Sequence, residues 1–159
     1  GALVCIPGKE PRCSQCPMES VCLTKRQGLW KEIPWKSPSK KRRIEERTVF
    51  IIENQGKAAI RKRPSTGLLA SLYELPNTEG HLTGEEARAY LGVPEEAVER
   101  LEALEPSLHI FSHVEWHMKG YRIRLSGGIP ESYISAEKEE LKSVYALPGA
   151  FGRYTKLIK

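Results

Sequence analysis

TVFIIENQGKAAIRKRPSTGLLASLYELPN, Thr48 to Asn77, decides the fold. Thr48 to Glu53 is β-branched and aromatic, Asn54-Gln55-Gly56 is a turn, and Lys57 to Arg63 alternates again, so the pair predicts a β-hairpin. Leu72 to Leu75 predicts a short strand ended by Pro76. Further on, Thr83 followed three residues later by Glu86 is a capping box that opens a helix through Leu91, and Gly92 closes it. Pro94 predicts a second helix, with Ala97, Val98, Leu101 and Leu104 on one stripe. Ser107 to Phe111 and Val114 to Met118 flank a tight polar turn. Tyr121 to Leu125 alternates as a strand that Gly127-Gly128 breaks. Ser143 to Leu147 reads as a short strand and Gly149 to Ile158 as a closing helix. Strands dominate with helices interspersed, which makes residues 48–159 an α+β domain: a mixed sheet with flanking helices.

The residues before Thr48 have another character. Residues 31–47, KEIPWKSPSKKRRIEER, combine prolines, serines and a basic run, and predict an interdomain connector with little regular structure. Residues 1–30 hold a cysteine-rich loop and a helical tail, Leu23 to Trp30. Residues 1–47 carry 11 Lys and Arg against 5 Glu, whereas residues 48–159 carry 14 against 15. The basic excess therefore belongs to the loop and connector, where Lys40, Lys41, Arg42 and Arg43 form a footprint suited to nucleic-acid phosphates. Such a run is also what a solvated linker looks like. The chain contains no aspartate, so no mechanism that needs a catalytic Asp runs on these residues alone. No apolar run approaches membrane-spanning length, and no membrane partner is expected. The chain starts at a glycine and reads as a piece of something longer.

All four cysteines fall within eighteen residues: Cys5, seven residues, Cys13, two residues, Cys16, five residues, Cys22. Four thiolates on one loop suit a soft metal centre, a 4Fe–4S cluster or zinc. Structural zinc more often uses two C-x2-C knuckles a dozen or more residues apart. The single C-x2-C flanked by lone cysteines fits the four corners of a cubane better. Pro7, Pro11 and Pro17 stiffen the loop. A disulfide pair is the bland reading, and a basic chain without a signal sequence argues for reduced thiols.

This cysteine spacing resembles the cluster loop of the MutY-family adenine DNA glycosylases and their endonuclease III relatives. Their pattern is C-x6-C-x2-C-x5-C; this chain has one more residue in the first gap. Gly67 to Asn77, after the hairpin, looks like the front half of a Nudix hydrolase domain. In active Nudix enzymes that stretch leads to a helix whose glutamates hold divalent ions. Here the helix reads TGEEARAYLG, with Glu85 and Glu86 adjacent, and looks like Nudix without that glutamate set. MutY-family proteins carry such a domain after their cluster. Phe111-Ser112-His113 is similar to the family's F-S-H turn, and Ala146 to Phe151, ALPGAF, also resembles the family.

The resemblance implies the following. Cys5, Cys13, Cys16 and Cys22 bind a 4Fe–4S cluster, with zinc as the alternative. Phe111, Ser112 and His113 sense 8-oxoguanine opposite adenine in double-stranded DNA. Lys9, Arg12, Lys40, Lys41, Arg42 and Arg43 grip the DNA backbone. The physics is sensible, because 8-oxoguanine differs from guanine by a carbonyl at C8 and a hydrogen on N7, and a hydroxyl such as that of Ser112 accepts from one or donates to the other. Taken alone, Ser and His in a tight turn read as structural. Trp116 and His117 read as packing residues, one per face, and His109 as structural. Arg61, Lys62 and Arg63 touch phosphates or solvate a strand end. The family's catalytic Glu and Asp lie in a helical domain before the cluster, so no catalytic residue is expected in this chain and it is expected to lack glycosylase activity. A monomer in the bacterial cytoplasm, associated with the nucleoid, is expected. The alternatives are a free-standing Nudix-type nucleotide hydrolase with a zinc-binding tail, and an interaction module that docks a partner through 31–47.

Overall fold

The computed structural model describes residues 3–6, 8–35, 41–145 and 147–158. The chain divides into two compact units, Gly1–Lys40 and Lys41–Lys159. No helix among the described residues is long and apolar enough to cross a membrane.

The second unit is a mixed sheet with few helices. Strand β1, Arg43–Asn54, runs at its centre. It turns at Gln55 and Gly56, both at positive φ (47° and 78°). That is the geometry of a two-residue hairpin turn, and it explains why a glycine stands at the second position. Strand β2, Lys57–Lys62, follows. Two short strands come next, β3, Tyr73–Glu74, and β4, Asn77–Glu79. Strands β5, Val98–Ile110, and β6, Val114–Leu125, form a long hairpin, and β7, Ile134–Glu137, completes the set. The sheet order is β3-β2-β1-β6-β5, with β4 pairing β1 and β7 pairing β2. The β1–β6 pair is parallel, in register from Arg43 opposite Val114 to Glu53 opposite Arg124; the other pairs are antiparallel.

Val49–Ile52 in the second half of β1 is apolar on both faces, and both are covered. One face carries Val49, Ile51, Trp116 and Met118 against Phe151, Tyr154 and Ile158 of the C-terminal residues. The other carries Phe50, Ile52, Tyr121 and Ile123 against Ala87 and Leu91. The latter two belong to helix α2, Gly84–Leu91, the counterpart in this unit of α1, Leu23–Gln27, in the first. The helix starts as expected: Glu86 N donates to Thr83 Oγ1 (3.3 Å), Thr83 N donates to Glu86 Oε2 (2.7 Å), and Gly92 ends it at φ 63°. The carboxyl of Glu86 is held below its ordinary value by these hydrogen bonds to Thr83.

Four expectations are corrected. The second helix does not form: Glu95–Ala97 is one 3-10 turn, and Val98–Leu104 is strand. A bulge between Val98 and Arg100 explains the error, because the extra residue puts Val98 and Leu101, three apart, on the same sheet face. The helical spacing was a bulged strand. Ser143–Leu147 is not a strand; helix α3, Glu140–Ser143, ends there, with Val144 N and Tyr145 N donating to Glu140 O, and Ala146 lies outside the described residues. The closing helix is a 3-10 turn, Gly149–Phe151, then α4, Gly152–Thr155. Finally, Arg43–Arg47 is not irregular connector but the first five residues of β1.

Gly120 lies inside β6 where Tyr154 crosses the sheet. A Cβ there would fall 3.1 Å from Leu104 Cβ and press into the Tyr154 ring. Tyr154 is itself fully buried, its hydroxyl donating to Met118 O (3.2 Å) and lying 3.3 Å from Glu105 O, with burial pushing its pKa up to about 12. The ring has no room to move, so Gly120→Ala should lose about 1–3 kcal/mol of stability, as overpacked cores do. Urea unfolding with an unchanged midpoint would contradict this.

Candidate functional site

The tight turn between β5 and β6 is held from two sides. Phe111 N donates to Val114 O (2.8 Å) and closes it. The start of β1 then grips its carbonyls: Arg43 N donates to His113 O (3.2 Å), and Arg42 Nε donates to Phe111 O (3.1 Å) while its Nη1 lies 3.5 Å from Glu115 Oε1. Parallel pairing of β1 with β6 causes this juxtaposition, because it sets Arg43 beside Val114. Ser112 and His113 are exposed, and among the described residues no hydrogen bond engages the hydroxyl of Ser112, the ring of His113 or the main-chain N–H of either. The turn therefore presents two N–H donors, a hydroxyl and an imidazole, beside three exposed cations, Lys41, Arg42 and Arg43.

Phe111 faces the other way. Its ring meets Trp116 edge-on (centroids 5.0 Å) and His109 edge-on (4.6 Å). Trp116 is fully buried. Its Nε1–H donates to Glu45 Oε2 (2.9 Å), and the Arg47 guanidinium lies over its ring (4.4 Å). Arg47 also donates to Glu45 Oε2 (3.2 Å) and Asn77 Oδ1 (3.0 Å), and Arg43 pairs with Glu45 Oε1. Burial acts to raise the Glu45 pKa, but hydrogen bonds from Arg43, Trp116 and Arg47 outweigh it and hold the carboxyl below its ordinary value.

Glu74, fully buried, is bound by two arginines, Arg61 (Nε to Oε1, 2.8 Å) and Arg63. Arg61 also donates to Asn77 O (2.8 Å) and Arg63 to Leu68 O (2.9 Å). These two arginines neither solvate a strand end nor stand free for phosphates; they neutralise a core carboxylate. Lys62, between them, is exposed.

A family model described as NUDIX domain matches residues 48–157. The chain belongs to the Nudix family. Among solved structures it is similar to the C-terminal domain of mouse MUTYH, crystallised in complex with human PCNA, at 21% identity and TM-score 0.55, covering 71% of this chain and 86% of that one. It is similar also to a MutT NUDIX hydrolase from Burkholderia pseudomallei, at 17% identity and TM-score 0.54, covering 74% and 99%. At these identities the likeness shows the fold.

In this Nudix domain the helix that carries adjacent glutamates spends one of them on itself, since Glu86 closes the capping box, while Glu85 is exposed beside Arg88 and Glu95. Outside the domain, the sequence also marked Cys5, Cys13, Cys16, Cys22, Lys9 and Arg12, which lie in the first unit, and Lys40, which lies outside the described residues, as does Pro7.

The four cysteines are free thiols, and no disulfide joins them. Cys5, Cys13 and Cys22 line one cavity of about 400 Å³ with Lys9, Lys25 and Trp30. Cys16 follows Cys13 by a 3-10 turn, its N–H donating to Cys13 O (3.0 Å), and Arg12 N donates to Val4 O (2.8 Å) across the loop. The donor set thus fits a thiolate-bound centre in chemistry. The sulfurs are not drawn to one point: among the described residues no group of three or more His, Cys, Asp or Glu side chains is gathered to hold a metal ion.

The sequence reading missed Glu45, Arg47, Glu74 and Asn77. One signal for the first two was available: R-x-E-x-R at 43–47 alternates charge with the period of a strand, so all three side chains share a face. Removing the carboxylate that two inward arginines share leaves them unpaired, so Glu74→Gln should cost about 3 kcal/mol. Thermal and urea unfolding measure it, and a loss below about 1 kcal/mol would contradict the network's role.

Proposed function

We propose that this chain is the C-terminal part of a MutY-type adenine DNA glycosylase, in which the Nudix domain recognises 8-oxoguanine opposite adenine and grips DNA instead of performing catalysis. The observation that carries this reading is the juxtaposition of an open Ser112–His113 turn with Lys41, Arg42 and Arg43. Recognition of a modified base needs free donors and acceptors, and presentation of that base needs cations on the neighbouring phosphates. The turn offers the first and the start of β1 the second.

In this reading Ser112 supplies its hydroxyl and N–H to the N7 and O8 edge of 8-oxoguanine. His113 adds a donor, and Phe111 is the anchor that keeps the turn on the sheet. Cys5, Cys13, Cys16 and Cys22 would hold a 4Fe–4S cluster, which supplies a rigid fold for the loop that carries Lys9 and Arg12 to the backbone; zinc is the alternative. Adenine release itself belongs to a helical catalytic domain preceding the cluster. The likeness to the mouse MUTYH C-terminal domain supports this assignment, and that domain's complex with human PCNA supports a protein partner in addition to DNA.

A second reading, a free-standing Nudix-type nucleotide hydrolase, is favoured by the likeness to the Burkholderia pseudomallei enzyme. Magnesium-dependent release of pyrophosphate from oxidised dGTP would establish it and displace the first.

Binding at fixed salt to two duplexes, adenine opposite 8-oxoguanine and adenine opposite guanine, tests the first reading. A preference for the oxidised duplex of about tenfold is expected, and Ser112→Ala should abolish most of it, as the loss of one specific polar contact does. Equal affinity for the two duplexes would overturn it. Lys41→Ala should instead weaken binding to either duplex and flatten the dependence of log affinity on log salt by about one unit of slope. The cluster is tested separately: anaerobic reconstitution with iron and sulfide should load the chain, and Cys16→Ser should reduce the iron bound.

A further inference from the structure

We propose that Glu45 is the positioning residue of the Phe111–His113 turn, a carboxylate that sets the Trp116 ring against which Phe111 rests. The proposal deepens the reading above and rests on it for its meaning in DNA recognition.

The chain of contacts is short and continuous. Glu45 stands directly opposite Trp116 in the parallel register of β1 and β6. Its Oε2 accepts from Trp116 Nε1 (2.9 Å) and from Arg47 (3.2 Å), and its Oε1 is taken by Arg43. Three donors from three residues fix the carboxylate. The carboxylate in turn fixes the rotation of the indole, because an indole has one N–H and a buried N–H needs its acceptor. Arg47 covers one face of the indole (4.4 Å). Phe111 packs its ring at 71° to the indole plane. An edge-on contact depends on ring orientation, so turning the indole moves Phe111, and Phe111 begins the turn. Glu45 also engages Arg43, whose main-chain N–H holds His113 O. The same side chain therefore governs the turn from its aromatic base and from its neighbouring strand.

Such an arrangement has a particular consequence. Loss of the carboxylate leaves Ser112 and His113 chemically intact and removes no cation, although it frees the Arg43 side chain from its ion pair. It should therefore reduce discrimination between duplexes while sparing general affinity. A residue that only stabilises the fold would lower all binding through loss of folded protein.

The test uses the whole chain with Trp30→Phe and Trp35→Phe, which leaves Trp116 as the sole tryptophan. Glu45→Gln and Glu45→Ala are compared with Ile60→Val, a modestly destabilising change in the same apolar cluster that leaves the Glu45 hydrogen bonds untouched. Three quantities are read: acrylamide quenching of Trp116 emission, amide exchange of 111–114, and affinity for the two duplexes. Glu45→Ala should raise exchange at Phe111 about tenfold, as loss of a charged hydrogen bond predicts. It should also increase quenching and bring the preference for the oxidised duplex towards one, with affinity for the adenine–guanine duplex unchanged within about twofold. Glu45→Gln, which keeps an acceptor, should recover part of each change. Ile60→Val should change none. Exchange and quenching in Glu45→Ala equal to those in Ile60→Val would overturn the proposal. If the unsubstituted chain shows no preference between duplexes, the functional reading falls, and exchange and quenching still decide the role of Glu45.

Discussion

The parallel pairing of Arg43–Glu53 with Val114–Arg124 is the constraint on which the rest depends. A parallel pair cannot be joined by a tight turn, so the chain must leave β1, build β2 to β5, and return. That detour delivers two things to the same end of the sheet. One is the start of β1, with its cations; the other is the turn that precedes β6. They are about seventy residues apart in sequence and in hydrogen-bond contact in space. A slip of one residue in the β1–β6 register would move Glu45 away from Trp116 and put Arg43 and Arg47 on the wrong face. Beyond that end of the strand, the apolar residues of β1 are buried on both faces, in two clusters.

Charge inside the domain follows a consistent division. Arginines that point toward the core are tied to carboxylates and aromatic rings: Arg61 and Arg63 to Glu74, Arg47 to Glu45 and Trp116. Cations at the start of β1 face solvent. Burying a guanidinium without a partner is costly, so the inward ones are committed to structure and unavailable to a ligand. Lys41, Arg42 and Arg43 are exposed, and two of them are also engaged within the domain, Arg42 with Phe111 O and Glu115 and Arg43 with Glu45. Glu45 joins the two sets, since it contacts Arg43 on one side and Arg47 and Trp116 on the other.

Much of this was legible in the sequence. The hairpin at 54–57, the capped helix over Gly84–Leu91 and the turn at 111–113 follow from local rules, and local rules are strongest where glycine, a cap or a tight turn leaves few alternatives. The α+β sheet followed from them, and the Nudix character from the resemblance carried by Gly67 to Asn77. The helix assigned to Val98–Leu104 failed because a β-bulge gave a strand the spacing of a helix. Ser143–Leu147 failed because a short apolar run suits a helical turn as well as a strand. Glu74 stayed hidden because nothing local distinguishes a carboxylate with distant arginine partners from a solvated one; for Glu45 the charge period of 43–47 was visible, but its partner Trp116 was not. The turn was legible; its support was not, since Arg42 meets Phe111, and Glu45 meets Trp116, only through long-range pairing.

The central claim is that one end of the sheet, the 111–113 turn with the start of β1, is the surface that meets damaged DNA. Hydrogen–deuterium exchange of the whole chain, with and without a duplex carrying adenine opposite 8-oxoguanine, tests it most directly. The account predicts slowed exchange at 111–114 and at 41–44 together, with helix α2 and the C-terminal residues unchanged. Protection elsewhere in the domain, with the turn exchanging as fast as in the free protein, would contradict it.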